Sequence, residues 1–143
     1  MQQIPLMSAV MTPFPHSVGV DETLATAAAM MRELHVRHLP VKEGQSLVGV
    51  LSDRDVRVAL AAAAGLPAAD ELKVRAACRL EPYEVEVHER LDDVLVQMVE
   101  RQVGCALVVK GGRLAGIFTT TDACRSFAEL LRQLFPDGGD TAA

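Results

Sequence analysis

The sequence predicts a mixed α+β fold (α/β in the broad sense) made of two copies of one β-α-β-β-α unit, each a small three-stranded sheet flanked by helices. The 143-residue chain matches itself when it is shifted by 67 residues, with thirteen identities over positions 15–55. Such self-similarity marks a duplicated structural unit. Within each copy, apolar residues alternate where strands are expected and recur at helical spacing where helices are expected. The copies should therefore form a pair related by a pseudo-two-fold axis.

The first strand and the first helix of each copy follow from the spacing of apolar residues. Val18 and Val20 alternate with polar neighbours, and Val85 and Val87 repeat the pattern, as a short half-buried strand does. The next apolar residues fall at i, i+3, i+4 and i+7, which places them on one helical face. They are Leu24, Ala27, Ala28 and Met31 in the first copy and Leu91, Val94, Leu95 and Met98 in the second.

A hairpin and a second helix complete each copy. HLPVK and LVGVL are separated by a turn that contains Gly44, and CALVVK and LAGIF are separated by Gly111 and Gly112, a pair suited to a tight turn with positive φ. The closing helices are predicted over residues 54–64 and 122–135, before glycine or proline. Because helices on one face leave the other face of each sheet open, the two copies should bury their open faces on each other.

The chain divides into residues 7–66 as the first repeat, 67–135 as the second, and an acidic, glycine-rich tail, 136–143, that is expected to be flexible. No apolar run approaches the roughly 18 residues of a membrane span, and the start of the chain lacks the features of a signal peptide. We therefore expect a cytoplasmic protein with no membrane partner.

Composition excludes further classes of protein. The three cysteines are far apart and odd in number, which argues against a disulfide framework or a zinc ribbon. A net charge of −5 and only five aromatic residues (one Tyr and four Phe) leave no basic stripe or stacking surface for nucleic acid. His35 and His38 are three residues apart but have no third ligand nearby, so no metal site is expected.

Several segments of the chain resemble the cystathionine-β-synthase (CBS) domain. VMTPFPHSVGVDETLATAAAMM, RHLPV and GVLSDRD resemble one such domain, and PYEVEVHERLDDVLVQMV, CALVV and GIFTTTD resemble a second. CBS repeats usually occur in pairs, called Bateman modules, and many pairs bind adenosine-containing ligands in the clefts between the repeats. The resemblance implies an AMP-, ADP- or ATP-like ligand, with S-adenosylmethionine or NAD also possible, and no other cofactor.

One motif occurs twice, at 49–55 and at 116–122. It consists of glycine, two apolar residues, Ser or Thr, two variable residues and Asp. One interpretation is a helix start, in which the hydroxyl and the acid three residues later form a capping box. The other is a nucleotide site, in which the hydroxyl and the helix N-terminus bind phosphate and the carboxylate accepts hydrogen bonds from two ribose hydroxyls. The glycines, Gly49 and Gly116, indicate a close approach to the backbone.

The resemblance assigns phosphate to Ser52 and Thr119 and ribose to Asp55 and Asp122. His38 and Cys105 are equivalent positions at which family members often contact the base, although ordinary strand packing explains them equally well. The second motif has three threonine hydroxyls and no negative charge before Asp122, whereas Asp53 in the first motif would repel a phosphate. The second motif is therefore favoured for the more highly charged ligand. The predicted ligand-binding residues are Ser52, Arg54, Asp55, Thr119, Thr120, Thr121, Asp122, His38, Cys105, His16 and Val18.

The favoured function is a non-catalytic regulatory module that binds an adenosine nucleotide and signals to a separate partner protein. The alternative is a dimeric scaffold with vestigial clefts, in which the motifs only cap helices. Enzyme activity has little support because the sequence has none of the common catalytic or nucleotide-hydrolysis motifs. The apolar face around Phe127, Leu131 and Leu134 predicts a homodimer.

Overall fold

Both predicted units are present, and together they form a mixed α+β fold. The computed structural model describes residues 3–136, in which five α-helices accompany two four-stranded sheets. The helices are α1 Met7–Val10, α2 Leu24–Leu34, α3 Asp53–Ala63, α4 Leu91–Arg101 and α5 Thr120–Leu134. The strands are β1 Thr12–Pro13, β2 Val18–Gly19, β3 His38–Glu43, β4 Ser46–Ser52, β5 Arg79–Leu80, β6 Glu84–Glu86, β7 Cys105–Lys110 and β8 Arg113–Thr119. Two short 3₁₀-helices, Ala69–Glu71 and Val74–Ala76, lie between the repeats.

The hydroxyl residues before α3 and α5 set where these helices begin. Ser52 caps α3 and Thr119 caps α5, each accepting a hydrogen bond from the backbone N–H three residues later. As a result α3 begins one residue, and α5 two residues, before the start that the sequence predicts. Of the predicted tail, 136–143, only Pro136 belongs to the described residues.

Each sheet contains the three predicted strands and a fourth, two-residue strand from the other repeat. The strand orders are β1-β8-β7-β6 and β2-β3-β4-β5. Strand β1, which precedes the first repeat's own strands, pairs antiparallel with β8 of the second repeat, and β5 pairs antiparallel with β4 of the first. We call residues 7–13 and 74–80 the leading segments, because each precedes the other strands of its own repeat and pairs with the other repeat.

The leading segments also fill the cores of the repeats with which they pair. Met7 is fully buried among core residues of the second repeat, and Val74 is fully buried in the core of the first. The backbone N–H of Met7 donates to Glu89 O at 2.9 Å, and that of Val74 donates to Glu22 O at 2.8 Å. A division of the chain at 66/67 therefore separates the sequence repeats but not the two sheets.

Gly49 and Gly116 allow the leading segments to approach the sheets closely. A Cβ atom at Gly49 would lie 2.6 Å from the carbonyl oxygen of Arg79, and one at Gly116 would lie 2.8 Å from Cγ of Met11. Both distances are too short for a real contact between non-bonded atoms. The predicted close approach is confirmed at both glycines, but what approaches is the other repeat's leading segment and not a ligand.

The open faces of the two sheets pack against each other. Val50 of β4, Cys105 and Leu107 of β7 and Ile117 of β8 form one buried cluster to which both repeats contribute. Val50 and Ile117 are 67 residues apart, so equivalent positions of the two repeats meet here. This confirms the predicted burial of face on face. None of the helices in residues 3–136 has the length and apolar character required to span a bilayer.

Candidate functional site

The first motif forms a complete capping box at the start of α3. The backbone N–H of Asp55 donates to Ser52 Oγ at 3.0 Å, and the backbone N–H of Ser52 donates to Asp55 Oδ2 at 3.1 Å. The capping interpretation is therefore confirmed. Among the described residues, no hydrogen bond uses the Ser52 hydroxyl proton or Asp55 Oδ1, so both groups remain available to a ligand.

A cavity of about 240 Å³ opens beside this motif, between the two repeats. Its lining brings together five of the predicted ligand-binding residues, which are Ser52, Arg54, Asp55, His38 and Cys105. The remaining lining residues are Val50, Arg79, Tyr83, Gln102, Val103 and Gly104. Because Arg54 and Arg79 outnumber the single carboxylate of Asp55, the cleft has a net positive charge in a chain whose net charge is −5.

His38 lies at the start of β3, where it contacts the second repeat. A Cβ atom built on Gly104 would lie 3.5 Å from His38 Nε2, an ordinary van der Waals distance, so the ring lies beside this glycine with room for a methyl group between them. Burial lowers the pKa of His38 from its usual 6.5, and the charge of nearby Asp55 only partly opposes this shift. The imidazole is therefore neutral at pH 7 and offers one donor and one acceptor to the cleft.

Cys105 is the equivalent residue of the second repeat and lies deeper. Its side chain is buried, and desolvation raises the pKa of the thiol to about 12. A protonated thiol is neither a nucleophile nor a metal ligand, so Cys105 contributes shape and not reactivity to the cleft. In the part of the chain that the structure describes, no group of three or more His, Cys, Asp or Glu side chains is placed to hold a metal ion.

Tyr83 and Arg79 line the cleft although the predicted set does not include them. The guanidinium of Arg101 stacks over the Tyr83 ring, 4.5 Å from its centroid, a cation–π contact that holds the ring in place. Burial raises the pKa of Tyr83. The sequence did contain a signal for this residue, because Tyr83 lies 67 positions after His16.

Asp53 lies outside this cleft. Its carboxylate pairs with Arg57 at 3.5 Å, and both residues line a separate depression between α2 and α3. The charge of Asp53 still reaches the cleft, because it contributes to the pKa of His38, so the repulsion between Asp53 and a phosphate at Ser52 stays a prediction.

The second motif is also a capping box, but its polar groups are engaged. The backbone N–H of Thr119 donates to Asp122 Oδ2 at 2.9 Å, and Arg125 Nη1 donates to Asp122 Oδ1 at 2.9 Å. Asp122 is only 7% exposed. Thr120 and Thr121 are exposed in the first turn of α5.

The two remaining predicted residues, His16 and Val18, belong to the first repeat. His16 is exposed in the loop between β1 and β2. The side chain of Val18 is 1% exposed and packs in the core of the first repeat, because this position of β2 faces the helices. A ligand contact at Val18 stays a prediction, and the burial of the side chain leaves the backbone as the group that would make it.

Residues 7–62 and 74–129 match the family model of the CBS domain. The chain belongs to the CBS domain family. Among curated proteins, Hypoxic response protein 1 of Mycobacterium tuberculosis is 37% identical over an alignment of 117 residues, with 78% of each chain covered. The resemblance that the sequence suggests is thus confirmed, as is the fold of paired repeats.

Two solved structures show the same arrangement of CBS repeats. The Vibrio cholerae protein AcuB superposes with a TM-score of 0.80 at 25% identity, over 94% of this chain and 98% of that one. CBSX2, solved in complex with AMP, superposes with a TM-score of 0.75 at 25% identity, over 89% of this chain and 98% of that one.

Proposed function

We propose that this CBS pair is a non-catalytic regulatory module that binds an adenine mononucleotide in the cleft beside Ser52 and Asp55. The observation that carries the proposal is the single cavity that collects Ser52, Arg54, Asp55, His38 and Cys105 from two repeats. The AMP complex of a related CBS pair, CBSX2, supports the same ligand class.

Each polar group of the cleft has a part in this proposal. The phosphate accepts hydrogen bonds from the Ser52 hydroxyl, Arg54 and Arg79. The dipole of α3 adds positive charge at the same end of the helix. Asp55 accepts hydrogen bonds from the ribose hydroxyls through its unused oxygen. The base packs near Tyr83, His38 and Cys105. A cavity of about 240 Å³ is below the roughly 300–1,000 Å³ of most ligand pockets, which favours a mononucleotide over NAD.

Binding between the repeats gives the ligand a way to regulate. A nucleotide that contacts both repeats stabilises one relative arrangement of them, and its differential affinity sets how far the population shifts. A separate protein that recognises this arrangement receives the signal. We also propose that the module acts as a homodimer, because α5 leaves Phe127, Leu130, Leu131 and Leu134 between 43% and 60% exposed along one face.

Calorimetric titration with AMP tests the ligand assignment. Asp55→Asn keeps the shape of the side chain but removes its charge. Each charge-assisted hydrogen bond is worth about 1.5–3 kcal/mol, and ~1.4 kcal/mol corresponds to a tenfold change in affinity. The substitution should therefore weaken AMP binding at least tenfold. Asp53→Asn is the matched control, because that carboxylate pairs with Arg57 outside the cleft, and removing its charge should not weaken the affinity. Folded wild-type protein that binds no AMP at millimolar concentration would leave the scaffold alternative standing.

A further inference from the structure

The carboxylates of the two motifs are in different states. Asp122 has both oxygens engaged, Oδ1 by Arg125 Nη1 at 2.9 Å and Oδ2 by the backbone N–H of Thr119 at 2.9 Å. Asp55 has only Oδ2 engaged, by the backbone N–H of Ser52 at 3.1 Å, within the residues that the structure covers. The acceptor that the ribose needs is thus free in the first motif and occupied in the second.

One sequence difference explains these two states. Arg125 lies three residues after Asp122 on α5, and the position three residues after Asp55 on α3 is Val58. Residues at this spacing lie on the same side of a helix, and Val58 is 60% exposed and has no charge to offer. The first repeat therefore lacks the cation that covers the carboxylate in the second.

The hydroxyl groups differ in the same direction. Thr119 Oγ1 lies 3.1 Å from Asp122 Oδ2 and donates its proton to that oxygen. No such bond joins Ser52 and Asp55 in the described part of the chain. The second motif thus uses its phosphate donor and its ribose acceptor internally, whereas the first keeps both.

We infer that Arg125 holds the second motif closed, so that each chain binds one nucleotide, in the first cleft. This inference rests on the proposed function, and it reverses the expectation from the sequence that the second motif takes the more highly charged ligand. The missing cations agree with it: Arg54 of the first cleft corresponds to Thr121 of the second repeat, and Arg79 of β5 corresponds to Thr12 of β1, the strand that pairs with β8.

Arg125→Val tests the inference, because valine is the residue that the first repeat has at this place. Calorimetry should find one AMP per chain for the wild-type protein and a second, weaker AMP for the variant. Arg132→Val removes an exposed positive charge from the same helix without touching Asp122 and should keep one AMP per chain. Circular dichroism and the melting temperature check that each variant is folded.

The reciprocal change is Val58→Arg, which places a guanidinium three residues after Asp55. It should weaken AMP binding to the first cleft at least tenfold, whereas Val58→Met, which adds length without charge, should not. The swap variant that carries both Val58→Arg and Arg125→Val should again bind one AMP, now at the second motif.

Tyrosine fluorescence tells the two sites apart. Tyr83 is the only tyrosine, the chain has no tryptophan, and Tyr83 lines the first cleft. AMP should therefore change the emission of the wild-type protein but not that of the swap variant. Three results would each overturn the inference and leave the proposed function intact: a wild-type chain that binds two AMP, an Arg125→Val chain that binds only one, or a Val58→Arg variant that binds AMP with full affinity. No AMP binding in any variant, the wild type included, contradicts the proposed function itself.

Discussion

His38 shows how a single residue can couple the cleft to pH. It lies beside Gly104 of the other repeat. Burial lowers its pKa and the charge of Arg37 adds to this shift, whereas the charges of Asp55 and Asp53 oppose it. A histidine that is buried in its neutral form must gain a proton as the pH falls, and the unfolded chain gains that proton first. The contribution of His38 to the free energy of unfolding is therefore most favourable above the usual pKa of 6.5 and decreases as the pH falls toward the lowered value.

His38→Gln should reduce this loss of stability. Glutamine keeps a donor and an acceptor but does not titrate, so the difference in unfolding free energy between about pH 7 and about pH 5 should be smaller than in the wild-type protein. Urea denaturation at both pH values measures it. His88→Gln changes an exposed histidine and should retain the wild-type dependence. If His38→Gln keeps the pH dependence of the wild-type protein, His38 is not the residue that causes it.

At the scale of elements, the exchanged strands β1 and β5 depend on two glycines. Each strand has only two residues, so its few ladder hydrogen bonds are effective only when the backbone sits close to the sheet. Gly49 provides this closeness for β5, and Gly116 provides it for β1. Strand β5 also carries Arg79 into the cleft, which links this packing to ligand binding.

Gly49→Ala should destabilise the protein by about 1–3 kcal/mol, the usual cost of overpacking, because the new Cβ would lie 2.6 Å from a backbone oxygen of β5. AMP affinity should fall with it as Arg79 is displaced. Gly19→Ala is the matched control, since its Cβ would meet only the Glu22 side chain at 3.5 Å. If Gly49→Ala and Gly19→Ala are equally stable in chemical denaturation, β5 does not lie as close to Gly49 as the structure indicates.

The sequence predicts much of this level of structure but not all of it. The 67-residue offset and the apolar spacing locate α2 to α5 and the strands of both hairpins, and Gly44, Gly111 and Gly112 have the positive φ expected of turns. Strands β1 and β5 were not predicted, because two residues have no periodicity and their pairing depends on the other repeat. Arg79 was missed for the same reason, because it lies on β5. The engagement of Asp122 was missed because it depends on Arg125, which lies outside the repeated motif.

At the scale of the whole molecule, the apolar face of α5 remains uncovered. Of the described residues of this helix only Asp122 is buried, whereas Phe127 and Leu134 are more than half exposed. A groove of about 570 Å³ runs between this helix, α1 and α4, and is lined by Val10, Leu91, Leu95 and Leu130 among others. Continuous apolar surface of this kind marks an association site, in agreement with the proposed homodimer.

Leu131→Asp should convert the proposed homodimer to a monomer, because it would place a charge in the proposed apolar interface. Sedimentation velocity measures the change. Phe14→Glu is the control: Phe14 is the most exposed large apolar residue, at 88%, and the equivalent position of the second repeat is Glu81. A wild-type protein that sediments as a monomer at micromolar concentration would contradict the proposal.

Because each leading segment packs in the opposite repeat, a change in one half of the chain affects the stability of the other half. Removing residues 7–13 takes Met7 out of the second repeat's core and β1 away from β8, so shortening the amino-terminal end weakens the carboxy-terminal half. The first repeat depends in the same way on the connector that follows it, through Val74 and β5. We therefore expect that neither half folds alone and that the two halves unfold as a single cooperative body.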